Sequence, residues 1–176
     1  VDRALMAERL NSAMEGLENK HVVVMEGFVG RDSRGEVTTL GRGGSDLTAS
    51  LVASMLGAAH MEKSTDVPGM LTADPRVVPS AKIIDSMSYE EAMELCHFGA
   101  KVIYPPTLLP LREAGIPLVI RSTFDAESRG TTVSANPDPG TGVRGVSSID
   151  GMALVTLVGG GMVGIPGYSR RMFMAL

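Results

Sequence analysis

The feature that most constrains this fold is an alternation of short apolar runs with helical patterns along the chain. Residues 22–25 form a continuous apolar run rich in β-branched side chains, which is typical of a strand buried on both faces of a mostly parallel sheet. Residues 117–121 are expected to form another buried strand. Apolar residues recur at helical spacing after Asp2 and after Asp46, and each aspartate is expected to cap a helix. The alternation predicts an α/β protein with a parallel-rich sheet between helices.

Turn and capping signals predict further elements. Residues 28–40 are typical of a hairpin that turns at Asp32-Ser33-Arg34-Gly35. Ser88 and Glu91 have the spacing of a capping box, which predicts the start of a helix. The remaining expected elements are a strand over residues 60–65, a short helix over residues 107–113 and an edge strand over residues 130–134.

Composition excludes several classes of function. The 176 residues fit one ordinary domain, and 16 basic against 20 acidic residues, with no basic stripe, argue against nucleic-acid binding. No apolar run approaches the length of a membrane span. The single cysteine, Cys96, excludes an internal disulfide and a multi-cysteine zinc site, and it fits a reducing cytoplasm. The three histidines share no metal-ligand spacing, so no protein-held metal is expected.

The chain divides at residues 136–142, where prolines and glycines are too dense for a helix or a central strand. We expect a first domain over residues 1–135 and a second segment over residues 143–176. The second segment is expected to contain strands over residues 143–149 and 152–158, a turn at Gly159-Gly160-Gly161 and a helix from about Pro166. So short a segment cannot bury a core of its own, and we expect the chain to be a fragment of a larger protein.

A glycine-rich turn, Gly41-Arg42-Gly43-Gly44-Ser45-Asp46, opens the second predicted helix. Glycines let a ligand approach the backbone closely, and the first turn of a helix presents N–H groups that bind anions. Arg42 adds a planar guanidinium that can hold a carboxylate or a phosphate through two hydrogen bonds. The same spacing fits a plain turn in which Asp46 caps the helix and Arg42 is solvated, and spacing alone leaves both interpretations open.

A second group of polar residues follows a predicted strand. Thr65 and Asp66 lie where the strand ends, which is where open α/β sheets bind ligands, and Arg76 is close beyond. Lys101 follows a turn between a helix and a strand, from which its charge can reach a nucleotide. Taken singly, these residues also fit a turn, a surface salt pair and a solvated lysine.

Four motifs, in this order and spacing, resemble the C-terminal half of the catalytic domain of aspartokinases. They are Thr39-Leu40-Gly41-Arg42-Gly43-Gly44-Ser45-Asp46, Thr65-Asp66-Val67-Pro68-Gly69, Thr72-Ala73-Asp74-Pro75-Arg76 and Phe98-Gly99-Ala100-Lys101-Val102. The resemblance covers about residues 4–135, and the Arg-Gly-Gly-Ser-Asp form distinguishes aspartokinases from other amino-acid kinases. It implies a three-layer αβα sandwich of the amino-acid kinase (carbamate kinase-like) type, incomplete in this chain.

The resemblance also implies an activity. Aspartokinases transfer the γ-phosphoryl group of ATP, with Mg²⁺ on the phosphates, to the side-chain carboxylate of L-aspartate, as the first step toward lysine, threonine and methionine. By resemblance, Asp46 orders the active centre, and the aspartate-binding residues are Arg42, Gly43, Gly44 and Ser45. The nucleotide-binding positions are Thr65, Asp66, Leu71, Arg76, Lys101 and Val102.

The chain departs from the family pattern in two ways. Leu71 and Ser64 stand where many relatives have aromatic residues near the nucleotide. The Lys-Phe-Gly-Gly-Thr-Ser motif, whose lysine neutralises the transferring phosphate, and an upstream glutamate that binds the substrate amine are not in these 176 residues. Since such charges contribute orders of magnitude to the rate, we expect no measurable kinase activity from this chain alone.

Residues 143–176 resemble the start of an ACT regulatory domain, especially that of bifunctional aspartokinase–homoserine dehydrogenases. The matching stretches are residues 143–149, 152–155 and 161–164. The resemblance implies an amino-acid effector, feedback regulation and a homo-oligomer. Two other functions stay open: a folded scaffold or dimerisation piece without catalysis, and another amino-acid kinase that binds a different acidic substrate and does not need Arg42.

Overall fold

The computed structural model describes residues 1–17, 22–125, 127–140, 142–156, 158 and 167–175. Its helices are α1 (Arg3–Met14), α2 (Gly44–Leu56), α3 (Tyr89–His97), α4 (Leu108–Ala114) and α5 (Tyr168–Ala175), with a 3-10 helix at Pro105–Thr107. Its strands are β1 (Val29–Arg31), β2 (Val37–Thr39), β3 (Met61–Thr65), β4 (Ser86–Ser88), β5 (Leu118–Ser122) and β6 (Thr131–Ser134). The alternation confirms the predicted α/β class. None of the helices in these residues is long and apolar enough to cross a membrane.

The larger of the two sheets in the described residues has four strands in the order β3-β5-β6-β4. The pairs β3–β5 and β4–β6 are parallel and the pair β5–β6 is antiparallel, so the sheet is parallel-rich as predicted. The expectation that residues 130–134 form an edge strand is wrong. β6 lies between β5 and β4, with Thr131 and Val133 fully buried. Strand β4 was not predicted, because its three residues run directly into the capping box of α3.

The core lies between this sheet and helices α2, α3 and α4. Its fully excluded side chains include Leu108, Leu111, Leu118, Ile120 and Val133. Each such aliphatic side chain contributes roughly 1.5–3 kcal/mol on burial. The buried Tyr89 hydroxyl donates a 2.7 Å hydrogen bond to the Ile116 carbonyl, which ties the start of α3 to the entry of β5. This packing fixes the position of the first turn of α2 relative to the ends of β3 and β5.

The first helix and the hairpin form where the sequence predicts them. Asp2 caps α1 by accepting a 3.0 Å hydrogen bond from the Leu5 N–H. Strands β1 and β2 are antiparallel, and the Asp32 carboxylate holds the turn between them. The Glu36 N–H is the main reason that the pKa of Asp32 is lowered. The hairpin delivers the chain to the glycine-rich turn.

Other predicted strands are absent from the described residues. Residues 22–25 are exposed and lie in no strand, because a strand needs a backbone partner and none of the described strands runs beside them. Residues 143–149 and 152–156 are likewise not strands. The expected helix near the end is α5, whereas Gly159-Gly160-Gly161 and Pro166 lie outside the described residues.

Candidate functional site

The glycine-rich turn connects β2 to α2, and its backbone conformation begins the helix. Gly43 is the N-cap, with φ +67° and no side-chain cap hydrogen bond, and α2 starts at Gly44. The prediction that Asp46 caps this helix is therefore wrong. Asp46 is the third helical residue, because the left-handed Gly43 starts the helix three residues earlier than the acid-based prediction assumed. A negative charge in this first turn is still favourable for the helix dipole.

Two glycines in this turn are required by close packing. A Cβ on Gly43 would lie 2.3 Å from the Tyr104 Cβ. A Cβ on Gly44 would lie 2.9 Å from both the Leu40 Cβ and the Phe28 Cδ2. Backbone at such close range to its neighbours tolerates no side chain, so the turn is confined on both sides and its N–H groups are held in place.

A hydroxyl fastens the chain before the hairpin to the first turn of α2. The Thr48 hydroxyl donates a 2.8 Å hydrogen bond to the Gly44 carbonyl and accepts a 3.1 Å bond from the Phe28 N–H. Phe28 has φ +75°, an uncommon conformation for a side chain of this size. Strain of this kind persists only where its surroundings enforce it. Sequence reasoning missed Phe28, Thr48 and Tyr104, because nothing but the fold brings them to the turn.

The charged residues of the turn differ in their surroundings. Arg42 is exposed and makes no hydrogen bond or ion pair with any residue that the structure describes. Its guanidinium is therefore open to a ligand. Asp46 instead forms an ion pair with Lys63 of β3, a residue that sequence reasoning also missed. The turn thus combines the exposed Arg42 guanidinium, a closely packed backbone and the Asp46 carboxylate, which is paired with Lys63.

A cleft of about 170 Å³ contains four of the six predicted nucleotide positions. Leu71, Arg76, Lys101 and Val102 line it. Thr65 and Asp66 are not among the lining residues, although the neighbouring Val67 is. Thr65 ends β3, and its hydroxyl donates a 3.1 Å hydrogen bond to the exposed Asp66 carboxylate. The structure therefore brings four of these positions together and leaves two beside them.

The two cations of the cleft are on its surface. The Arg76 guanidinium forms a 2.6 Å ion pair with Asp74, and its side chain is 88% exposed. The hydrogen bonds and charge of Arg76 lower the pKa of the Asp74 carboxyl to about 2. Lys101 is also exposed and has no ion-pair partner among the described residues. Both cations are accessible to an anionic ligand from solvent.

A segment beyond the expected linker reaches the same cleft. Residues 146–148 line it, and the Val146 N–H donates a 2.8 Å hydrogen bond to the Thr72 carbonyl. Gly99 makes room for this segment, because a Cβ there would lie 2.3 Å from the Ser148 carbonyl oxygen. The sequence contains no signal for this contact, which joins residues far apart along the chain.

The remaining reactive side chains do not form a site. Cys96 is buried in α3, and burial raises the pKa of its thiol, which fits its interpretation as a small core residue. His97 lies edge-on to the Phe98 ring, with the ring centres 4.9 Å apart. No three His, Cys, Asp or Glu side chains among the described residues are grouped as metal ligands.

Comparisons with known proteins agree with these motifs. The chain is 42% identical over 156 residues to a bifunctional aspartokinase/homoserine dehydrogenase of Haemophilus influenzae, over 88% of this chain and 19% of that protein. It is 39% identical over 172 residues to the lysine-sensitive aspartokinase 3 of Escherichia coli, over 98% of this chain and 38% of that protein. The chain spans less than two fifths of the length of these relatives.

A solved structure shares the fold. The crystal structure of E. coli aspartokinase III in complex with aspartate and ADP matches with a TM-score of 0.71 and 45% sequence identity, over 76% of this chain and 30% of that chain. This match confirms the predicted αβα architecture and the resemblance to aspartokinases. The model of the amino acid kinase family matches residues 2–122, more than half of the sequence. This chain belongs to the amino acid kinase family.

Proposed function

We propose that this chain is the part of an aspartokinase that carries the aspartate-binding turn and much of the nucleotide cleft. The complete protein would transfer the γ-phosphoryl group of ATP to the side-chain carboxylate of L-aspartate and so form 4-phospho-L-aspartate. The observation that carries the proposal is the glycine-rich turn, in which Arg42 is open and the backbone is held by close packing.

The aspartate side of the proposed site consists of the turn. An aspartate molecule is small and carries two carboxylates, and their recognition calls for a guanidinium and several N–H donors at fixed positions. Arg42 would bind one carboxylate. The turn that Gly43 and Gly44 form would hold the Ser45 N–H for the other carboxylate, since the Gly44 N–H already donates to the Gly41 carbonyl. Asp46 would order the active centre, as the resemblance implies. The match to a structure described as a complex with aspartate and ADP supports this assignment.

The nucleotide side consists of the cleft and the end of β3. Lys101 and Arg76 would bind phosphate oxygens, and Leu71 and Val102 would provide apolar contact for the base. Thr65 and Asp66 would contribute polar contacts from the strand end. Mg²⁺ would enter as part of the substrate MgATP, held mainly by the phosphates, as is usual for this ion.

The reaction asks the protein mainly to position two anions and to neutralise charge that develops between them. The turn and the cleft would provide hydrogen-bond donors and cations at fixed positions, which suits the positioning of two anions. This chain alone is proposed to be inactive, because the family's phosphate-neutralising lysine motif is not in its sequence.

Regulation and assembly are part of the proposal. Residues 1–135 would form the catalytic unit, residues 136–142 the linker and residues 143–176 the start of an ACT domain that binds an amino-acid effector in a homo-oligomer. The relative named as lysine-sensitive supports effector binding of this kind. A cytoplasmic location is proposed because the lone Cys96 is a buried free thiol.

The test is an activity assay on the complete protein that contains this chain, with ATP, Mg²⁺ and a panel of acidic acceptors. The proposal predicts hydroxylamine-trappable acyl phosphate with L-aspartate and little with L-glutamate or N-acetylglutamate. Preference for another acceptor would indicate a different amino-acid kinase. Absence of phosphoryl transfer to every acceptor would favour the scaffold function.

A further inference from the structure

The ion pair between Asp46 and Lys63 is the least exposed ion pair in the described residues. The side chains of Lys63 and Asp46 are 16% and 23% exposed, whereas every partner in the other pairs is at least 33% exposed. Exposed ion pairs contribute little, but a half-buried carboxylate without a partner is costly. Loss of one partner of this pair should therefore cost more free energy than loss of a partner in the surface pairs.

The Asp46 carboxylate is directed to Lys63 and not to the helix. An acid in the first turn of a helix commonly accepts backbone N–H hydrogen bonds, but the Asp46 carboxylate accepts none from the residues that the structure describes. The Asp46 Oδ2 instead accepts a hydrogen bond from the Lys63 Nζ. The orientation of this carboxylate is thus set by a residue on a neighbouring strand.

Lys63 lies between the core and the candidate site. Side chains alternate along a strand, so Lys63 shares its face of β3 with Met61, which is in the core, and with Thr65, which ends the strand. Burial raises the pKa of the Cys96 thiol, and the charge of Lys63 acts in the opposite direction there. The ammonium itself pairs with Asp46 in the first turn of α2.

Charge at this point matters for transfer of a phosphoryl group. An unbalanced carboxylate beside the turn would repel the negative charge that develops on the phosphoryl oxygens in the transition state, while a balanced one can orient cations without adding net charge. A lysine held by such a carboxylate also keeps the first turn of α2 at a fixed distance from β3.

We propose that Lys63 is a positioning residue, which holds the Asp46 carboxylate at the glycine-rich turn and balances its charge during phosphoryl transfer. This inference rests on the proposed function. It predicts that Lys63 acts through Asp46 and has no direct part in binding either substrate.

The experiment compares variants of the complete protein in the aspartate kinase assay. Lys63→Met should lower kcat by about 10- to 100-fold and change either KM by less than about 3-fold, as expected for a group that orients another. Lys63→Arg, which keeps the charge, should recover most of the lost kcat. Glu62→Gln is the matched control, because Glu62 is the neighbouring residue on β3 and pairs with Arg121 away from the turn; it should leave kcat unchanged.

A double variant tests whether the loss of Lys63 affects kcat through Asp46. Because Lys63 acts through Asp46, Asp46→Asn/Lys63→Met should lose no more activity than Asp46→Asn alone. Multiplied losses in the double variant would overturn the inference, as would an unchanged kcat in Lys63→Met or a rise in KM alone. If Lys63→Met does not fold, Lys63→Gln, which also removes the charge, takes its place with the same expected loss of kcat.

The assay also separates this inference from the proposed function. A wild-type protein that phosphorylates aspartate, with kcat unaffected by Lys63→Met, would overturn only the role of Lys63. A wild-type protein without phosphoryl transfer to any acceptor would overturn the proposed function and, with it, this inference.

Discussion

The glycine-rich turn and the cleft, which are the two sites proposed to bind anions, are built in different ways. In the turn, the backbone of Gly43 and Gly44 is packed against other side chains, and the acid has a half-buried partner. In the cleft, the cations Arg76 and Lys101 are exposed on loops. The turn therefore depends on packing, and the cleft depends on surface charge.

The difference has a consequence for what each region tolerates. A packed turn loses its geometry, and with it protein stability, when one atom is added. Exposed cations can be removed with little effect on folding, but their attraction for a phosphate is weakened by salt. Variants in the two regions should accordingly separate stability from nucleotide affinity.

The largest expected effect on stability comes from Gly43→Ala. The new Cβ would clash with Tyr104, and residue 43 has a left-handed backbone conformation that alanine rarely adopts. We therefore expect the free energy of unfolding to fall by about 3 kcal/mol. Gly41→Ala is the matched control, because Gly41 has φ +73° but open space around its Cβ position, and it should cost only about 1 kcal/mol. Urea denaturation of the two variants measures the difference. Equal losses would mean that the contact with Tyr104 does not constrain the turn.

An intermediate effect, on affinity and not on stability, is expected from Lys101→Ala. Loss of a charged contact should raise the KM for ATP by about 10-fold in the complete protein, and the ratio should shrink as salt is added. Unfolding free energy should change by less than about 0.5 kcal/mol. Lys82→Ala removes an exposed lysine outside the cleft lining and should leave the KM for ATP unchanged. A similar rise in both variants would show that only overall charge matters.

The smallest expected effect is the titration of Asp74. Its pKa is lowered to about 2 by Arg76, so this carboxylate stays ionised as pH falls until well below the ordinary aspartate range. Any stability from the pair is present above the unfolded pKa and is lost only as pH falls through the folded value. In Arg76→Ala, the pKa of Asp74 should rise toward 3.8, as followed by carboxyl NMR near pH ~4. An unchanged titration would mean that Arg76 does not hold Asp74 in solution.

Local signals located much of the fold and the outline of the site. The hairpin, the Ser88 capping box and the helix after the glycine-rich turn depend on residues close in sequence, and each forms where it was predicted. The resemblance to a known family, and not a local signal, indicated the four nucleotide positions that meet in the cleft, since they come from two segments far apart along the chain.

Nonlocal pairing accounts for the wrong prediction of an edge strand and for the site residues that the sequence did not indicate. The interior place of β6 depends on β4 and β5 together, and the short run of residues 131–134 carries no sign of its neighbours. Lys63 and Asp46 are 17 residues apart, and only the packing of α2 on β3 brings them together. The approach of Ser148 to Gly99 is similarly invisible from spacing.

The most direct test of the central claim is the kinetic response of the complete protein to Arg42→Ala. If the open guanidinium binds aspartate, the KM for aspartate should rise by about 10- to 100-fold while that for ATP changes by less than about 3-fold. Arg42→Lys should recover only part of the loss, because an ammonium cannot form the two-point contact. Equal increases in both KM values, or none in that for aspartate, would contradict the assignment of the glycine-rich turn.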